Sequence, residues 1–346
     1  MLRISRNFSL PHGNQNDKKK MSESNLSIVD VGHGSCAVLF DNGVTIVVDC
    51  GGRGAALLRY LDDRNITRIK AIFLSHSDED HIGGLITLLA NRKFDVEQVY
   101  LNTDASKDSK LWDDLLFELN DGDRKGRLRF EVNIHCELTP LACGDMLLVP
   151  VGPSKYLVGK GAGSTHRSGK KITSNGLSAT FMVFYKGQPI AFLSGDIDQV
   201  GFDDVIASGK PIKARILVFP HHGGKAAEAD MAEFASSLLH SVNPETVIFS
   251  IGRNQHDTPQ PEIVDSIKAS GVAIRIACTQ LSTRCAAELP DTDPTHLHAF
   301  FAKGKPKKRC CAGTFVVEFG ETIQEFPTAE GHQKFVDATA VTAICK

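Results

Sequence analysis

The stretch His76-Ser77-Asp78-Glu79-Asp80-His81 sets two imidazoles and three carboxylates side by side, between an apolar run at 69–74 and the pair Gly83-Gly84. Read as a buried strand, 69–74 delivers His76, Asp78 and Asp80 at alternate positions beyond its C-terminal end, and alternate side chains of an extended segment share a face. His81 then opens the next helix, and the two glycines behind it remove the Cβ bulk that would keep the loop from closing tightly. Several ligand groups thus converge at a strand's carboxyl end, where α/β folds place their chemistry. A solvated acidic turn is the bland alternative, but such a turn has no reason to carry histidines at this spacing. The segment predicts a metal site.

At 346 residues and 42% hydrophobic, the chain can bury a full core as one large domain or two small ones. No apolar run approaches the ~18 residues that span a bilayer, so no membrane segment is expected. A net charge of −2 argues against a globally basic nucleic-acid binder and leaves local basic patches to grip phosphates. Residues 1–25, with Lys18-Lys19-Lys20, lack the hydrophobic stretch of a signal peptide and read as a disordered arm. Nine cysteines, an odd number without a secretion signal, point to a reducing cytoplasm and to thiols rather than disulfides.

From residue 26 the pattern turns regular, with apolar runs at 26–31, 36–40 and 44–48, the last two joined by the hairpin signal Asp41-Asn42-Gly43. Further strands are expected at 69–74, 96–101, 129–134, 146–150, 179–185, 190–193, 216–219, 246–250 and 273–276. Helices are expected at 55–61, 84–90, 111–119, 226–239 and 261–269. The expected class is α/β (α+β), an αββα sandwich of two mixed sheets flanked by helices over 26–326. Within it 278–311 reads as a Cys/His-rich insertion, and the tail 327–346 says little.

The His-x-Asp-x-Asp-His segment resembles the His-x-His-x-Asp-His motif of the metallo-β-lactamase superfamily, with Asp78 in place of the middle histidine. Followed by Ile82-Gly83-Gly84, it is similar to the soluble nuclease-like domain of the competence DNA-uptake protein ComEC. Other segments agree in chain order. Asp30-Val31-Gly32-His33-Gly34-Ser35-Cys36-Ala37 and Val47-Val48-Asp49-Cys50-Gly51-Gly52 are similar to that group's opening hairpin and its Asp-x-Gly-Gly turn. Asn175-Gly176-Leu177-Ser178, Ser194-Gly195-Asp196 and Pro220-His221-His222-Gly223 match its Asn-x-x-Ser, Gly-Asp and Pro-His-His-Gly segments.

On that resemblance one metal centre is built from His76, Asp78 and His221 or His222, and a second from Asp80, His81 and further groups. Asp196 bridges them, as its two oxygens suit ions about 3.5–4 Å apart. His221 is placed with the metal ligands, while Asp80, His222, Asn175 and Ser178 are the candidate catalytic groups around a metal-activated hydroxide. Asp78 enriches the ligand set in oxygen, which shifts the expected pair of ions from zinc alone toward manganese, with magnesium behind them. Where the family places a later histidine this chain has Thr258, and His256 either restores an imidazole to the site or is an exposed loop residue.

Three further features are weaker. The glycine-rich loop 160–171 offers Lys170 and Lys171 as substrate contacts for a phosphodiester, though flexible basic loops are more often solvated surface. Cys278, Cys285, Cys310 and Cys311, with His296 and His298 between them, are candidates for a structural zinc clip, the alternative being buried free thiols. The run Lys303-Gly304-Lys305-Pro306-Lys307-Lys308-Arg309 would track a nucleic-acid backbone if it reached the rim of the site. The sequence is therefore read as a cytoplasmic metal-dependent hydrolase, first a phosphodiesterase or nuclease on nucleic acid. The alternatives are a hydrolase of small molecules such as cyclic nucleotides or lactams, and an inactive module with protein partners in a DNA-processing or defence system.

Overall fold

In a computed structural model, the structure describes residues 24–52, 55–225, 230–291, 294–340 and 342–346. Most of the expected N-terminal arm and the start of the helix expected at 226–239 lie outside those residues. The larger sheet orders its strands Ile323–Phe326, Phe315–Phe319, Ser24–Ile28, Ala37–Asp41, Val44–Val48, Ala71–Phe73, Gln98–Tyr100 and Arg129–Glu131. The second orders them Arg275–Cys278, Thr246–Phe249, Ile216–Val218, Gln188–Leu193, Thr180–Tyr185, Met146–Gly152 and Leu141–Cys143. Each sheet is mixed: Val44–Val48 runs parallel to Ala71–Phe73, and Gln188–Leu193 parallel to Ile216–Val218, beside antiparallel hairpins.

Strand residues alternate between two apolar environments, which is why these strands read as continuous hydrophobic runs. Ile46, Val48, Ala71 and Phe73 face Phe181, Val183, Ala191 and Leu193 of the other sheet, while Val47 and Ile72 face outward. Phe73 stacks on Tyr100 and meets Phe181 edge-on between the sheets. The outward residues of the first sheet pack under helices Ala56–Asp63 and Lys110–Arg124, and those of the second under Gln199–Ala207, Met231–Val242 and Pro261–Lys268. The result is the expected αββα sandwich. Among the described residues no helix is long and apolar enough to cross a membrane.

Several elements have no counterpart in the sequence reading: helices Lys155–Lys160 and Gln199–Ala207, strands Phe315–Phe319 and Ile323–Phe326, and helix Ala329–Thr339. Phe315–Phe319 pairs with the first strand, so chain from beyond residue 310 completes the sheet begun at residue 24. The stretch before it is held by Asp30, which is fully buried. Its carboxylate accepts from the Gly304 amide (2.8 Å), the Gln280 side chain (2.9 Å) and the Gly32 amide (3.0 Å).

The proposed zinc clip does not assemble. Cys310 Sγ points to Asp30 at 3.5 Å, Cys311 Sγ contacts His332 Nε2 at 3.2 Å, and Cys278 and Cys285 lie in the helix-side apolar core. Among the described residues no cysteine joins a group whose ligand atoms converge as a metal requires. Packing and the Asp30 hydrogen bonds anchor this segment instead.

Candidate metal centre

Four parallel strands point their C-terminal ends at one place and deliver the side chains of the site: Val44–Val48 leads to Asp49, Ala71–Phe73 to His76, Gln188–Leu193 to Asp196, and Ile216–Val218 to His221 and His222. Asp80, His81, Asp196 and His222 each present a ligand atom within 4.8 Å of the others. His222 Nε2 lies 3.0 Å from Asp80 Oδ2 and 3.8 Å from Asp196 Oδ2, and His81 Nε2 lies 3.4 Å from Asp196 Oδ1. His76 and Asp78 form an adjoining pair at 3.7 Å, and the His76 and His81 rings are 4.1 Å apart. His221 Nδ1 reaches Asp196 Oδ2 at 3.7 Å.

Backbone geometry at the two histidines is unusual. His221 and His222 both adopt left-handed conformations, φ 51° and 54°, which cost a non-glycine residue about 1–2 kcal/mol each. That strain turns both imidazoles back toward Asp196, whose Oδ1 also accepts the His221 amide at 3.0 Å. On the other side of the site Gly84 sits so close to Cys50 that a Cβ would approach its carbonyl oxygen to 2.8 Å, which is the tight closure the paired glycines foreshadow. Gly34 is tighter still. At φ +132° its Cβ would fall 2.3 Å from the Asp80 carbonyl oxygen. Gly34→Ala should therefore displace the turn that carries Asp80, lowering both melting temperature and metal content; thermal melts with elemental analysis would check it.

The charges are arranged in opposition. Burial opposes ionisation of Asp80 and Asp196, but the imidazoles of His81 and His222 outweigh it and hold both carboxyls below the ordinary range. Burial likewise opposes protonation of His81 and His222, yet the carboxylates around them raise both above the usual value. Asp78, also opposed by burial, is kept low by His76 and by Lys107, whose Nζ is 2.6 Å away. Burial pushes His221 down and, with the neighbouring His222, takes His33 down to about 4.

The raised imidazoles add stability that is full below about pH 6.5 and is lost as pH climbs through their folded values. The depressed carboxylates add stability present above about pH 3.8 and lost as pH falls through theirs. The lowered His33 and His221 act oppositely, costing stability as pH falls below about 6.5, so metal-free protein should be most stable near pH 6.5. A cation must displace the imidazole protons, so its apparent affinity should rise with pH and loading should release protons. Calorimetry in buffers of different ionisation enthalpy measures that release.

The residues fit a divalent cation. Nε2 of His76, His81 and His221 are buried without a hydrogen bond, and an unsatisfied buried polar atom costs about 1–3 kcal/mol. His81 Nδ1 is meanwhile held by Asp49 Oδ2 at 2.8 Å, which fixes the ring and leaves Nε2 facing the cluster.

The other sequence-derived candidates separate. Asn175, His256 and Thr258 line the cleft above the cluster, and Asn175 Oδ1 is buried without a partner. Ser178 does not reach the cleft: it is buried beneath it, accepting the Asp196 amide at 3.0 Å, so it positions a ligand rather than touching substrate. His222, which the sequence offers as a ligand in place of His221 and as a catalytic group, stands inside the four-group cluster, while His221 stands beside it with Nδ1 3.7 Å from Asp196 Oδ2. Lys170 and Lys171 are directed elsewhere. Lys170 borders a separate pocket with Tyr156, His166 and Arg167 and faces Asp203 at 3.9 Å, and Lys171 is exposed on the hairpin pairing with Thr165. The sequence assigns no role to Asp49, Lys107 and His33. Asp49 stands in the Asp-x-Gly-Gly turn and His33 in the opening segment, but only the fold brings Asp49 to His81 and His33 to Asp80.

A family model described as Metallo-beta-lactamase superfamily matches residues 29–242. The chain belongs to that superfamily. With its carboxylate and imidazole cluster at the strand ends, this member of the superfamily is a metal-dependent hydrolase. Similar solved structures include Igni18, a metallo hydrolase from Ignicoccus hospitalis KIN4/I, at 15% identity over 74% of this chain and 95% of that one, TM-score 0.43. YhfI from Bacillus subtilis, a metallo-beta-lactamase fold protein, is 12% identical over 74% and 96%, TM-score 0.47. Yeast PDE1 is 11% identical over 78% and 90%, TM-score 0.38. No curated protein sequence matches the chain significantly. The superfamily match ends before His256, Thr258 and Lys303, so that part of the cleft wall comes from chain beyond it.

Proposed function

We propose that this metallo-hydrolase is a phosphodiesterase acting on nucleic acid, related in activity to the ComEC domain it resembles and using two zinc or manganese ions in the cytoplasm. The observation that carries the reading is the cleft. It measures about 820 Å³, has Asp80, Asp196, His221 and His222 in its lining, and adds Lys225, Lys303, Gln255 and Gln260 from the surrounding loops. Cationic and amide side chains around a polar, solvent-facing cleft favour an extended phosphodiester over an apolar small molecule.

A divalent cation held by the cluster would act as a Lewis acid on the phosphoryl group and make water acidic enough to attack at neutral pH. The chain's own residues prepare that chemistry. Asp49 keeps His81 in one tautomer through Nδ1, Lys107 holds Asp78 ionised, Ser178 Oγ holds the Asp196 backbone amide, and the His221 amide donates to the Asp196 carboxylate. Lys225 would bind a phosphate at the cleft wall, and Lys303, its Nζ donating to the Val31 carbonyl at 3.0 Å, adds positive charge there. The test is cleavage of labelled single- and double-stranded DNA and RNA with added Mn²⁺, Zn²⁺ or Mg²⁺. Metal-stimulated cleavage that disappears in Asp80→Ala is the expected result. Metal binding with hydrolysis of bis(p-nitrophenyl) phosphate but of no oligonucleotide would overturn the nucleic-acid assignment.

A further inference from the structure

We infer that His33 is a metal ligand of this chain, its Nε2 completing the coordination shell on the side of Asp80 and His222. The inference rests on the reading of the cluster as a metal site and names a residue outside it. His33 comes from the loop after the first strand, and its Nε2 lies 3.5 Å from Asp80 Oδ2, the same oxygen that His222 Nε2 approaches to 3.0 Å.

Two ligand atoms about 2.0–2.1 Å from one ion lie about 2.9–3.3 Å apart as the angle between them opens from about 90° to tetrahedral, and with four groups already in the cluster His33 would be a fifth ligand or serve a second ion. The His81–Asp196 and His33–Asp80 separations, 3.4 and 3.5 Å, both sit close to that figure, whereas His222 and Asp80 at 3.0 Å are directly hydrogen-bonded. As a direct hydrogen bond 3.5 Å is too long, since N–H···O contacts run to about 3.2 Å. The spacing leaves room for an ion between them. The His33 and His222 ring centroids are 4.5 Å apart, so the two imidazoles approach Asp80 together.

The loop is built to hold this position. The Ser35 amide donates to the Asp80 carbonyl at 3.0 Å, and Ser250 Oγ donates to the Gly34 carbonyl at 2.8 Å, tying the residues after His33 to both walls of the site. His33 Nδ1 is buried without a hydrogen bond, so the ring has no other polar anchor among the described residues. The His256 ring lies beside that of His33, centroids 4.5 Å apart.

Metal-free protein reloaded with Co²⁺ tests the assignment through the visible absorption of the bound ion and through its affinity in competition with a chelator. His33→Ala should bind Co²⁺ at least tenfold more weakly, with a changed absorption band that added imidazole restores. His256→Ala, which removes a ring neighbour without removing a ligand, should keep the wild-type band. His33→Gln, with a side chain nearer the original size, guards against a folding artefact and should also lose the band. A His33→Ala spectrum and affinity equal to wild type, with both lost in Asp80→Ala, would overturn the role of His33 alone. Failure of wild-type protein to bind Co²⁺ would overturn the metal reading and this inference together.

Discussion

Asp196→Asn should still fold, though with a lowered melting temperature, and yet lose turnover by roughly 10³-fold or more, the several kcal/mol that a bound cation contributes to such chemistry. Asparagine keeps an oxygen to accept the His221 amide, so the strained turn retains its anchor. What it loses is the charge. Asp196 is the carboxylate that faces His81, His221 and His222 at once, at 3.4, 3.7 and 3.8 Å, and without it the imidazoles surround a neutral amide. Ligation by an amide oxygen is weaker than by a carboxylate, so metal content should fall with activity. Circular dichroism, elemental analysis and a phosphodiester assay on one preparation separate the effects. Full metal content together with full activity would show that Asp196 is not a ligand.

The sandwich was legible because its strands are written twice over. Val44–Val48 and Ala71–Phe73 are apolar on both faces and end in Asp49 and at Ser75-His76, so burial and chemistry are signalled by neighbouring residues. The elements that went unread lack such signals. Gln199–Ala207 starts from the capping residue Asp198, whose carboxylate accepts the Val200 and Gly201 amides, a local cue that was available. Phe315–Phe319 belongs to the first sheet only because it pairs with a strand nearly three hundred residues earlier, which no local pattern encodes. The site divides in the same way. His76 to His81 announce themselves by density, whereas His33 and Asp49 become functional candidates through contacts across the fold. The late cysteines misled for the converse reason: Cys278, Cys285 and Cys311 share the helix-side core, but among the described residues their sulfurs do not converge as metal ligands, and Cys310 faces Asp30.

Asp49→Ala should be the most destabilising single change at the site, by about 3–5 kcal/mol, the usual cost of stripping one partner from a buried ionic pair. The carboxylate is 1% exposed and makes three contacts: His81 Nδ1 at 2.8 Å, the Ser75 amide at 2.7 Å and Ser75 Oγ at 2.9 Å. Its removal leaves the His81 ring, itself fully buried, without one of its two carboxylate partners and frees the ring to turn. In a chain of this size each kcal/mol moves the melting temperature by about 2–4 °C, so the drop should reach roughly 10 °C. Asp49→Asn distinguishes charge from geometry. It retains an oxygen for the Ser75 amide and should recover part of the stability, but it offers His81 Nδ1 a weaker acceptor and so should still weaken metal binding by about 10–100-fold, the range for losing a ligand's hydrogen-bonding support. Thermal melts of metal-free and metal-loaded protein would read both effects. If Asp49→Ala melted within 2 °C of wild type in the metal-free state, the His81–Asp49 pair would not be the element that holds this strand end in place.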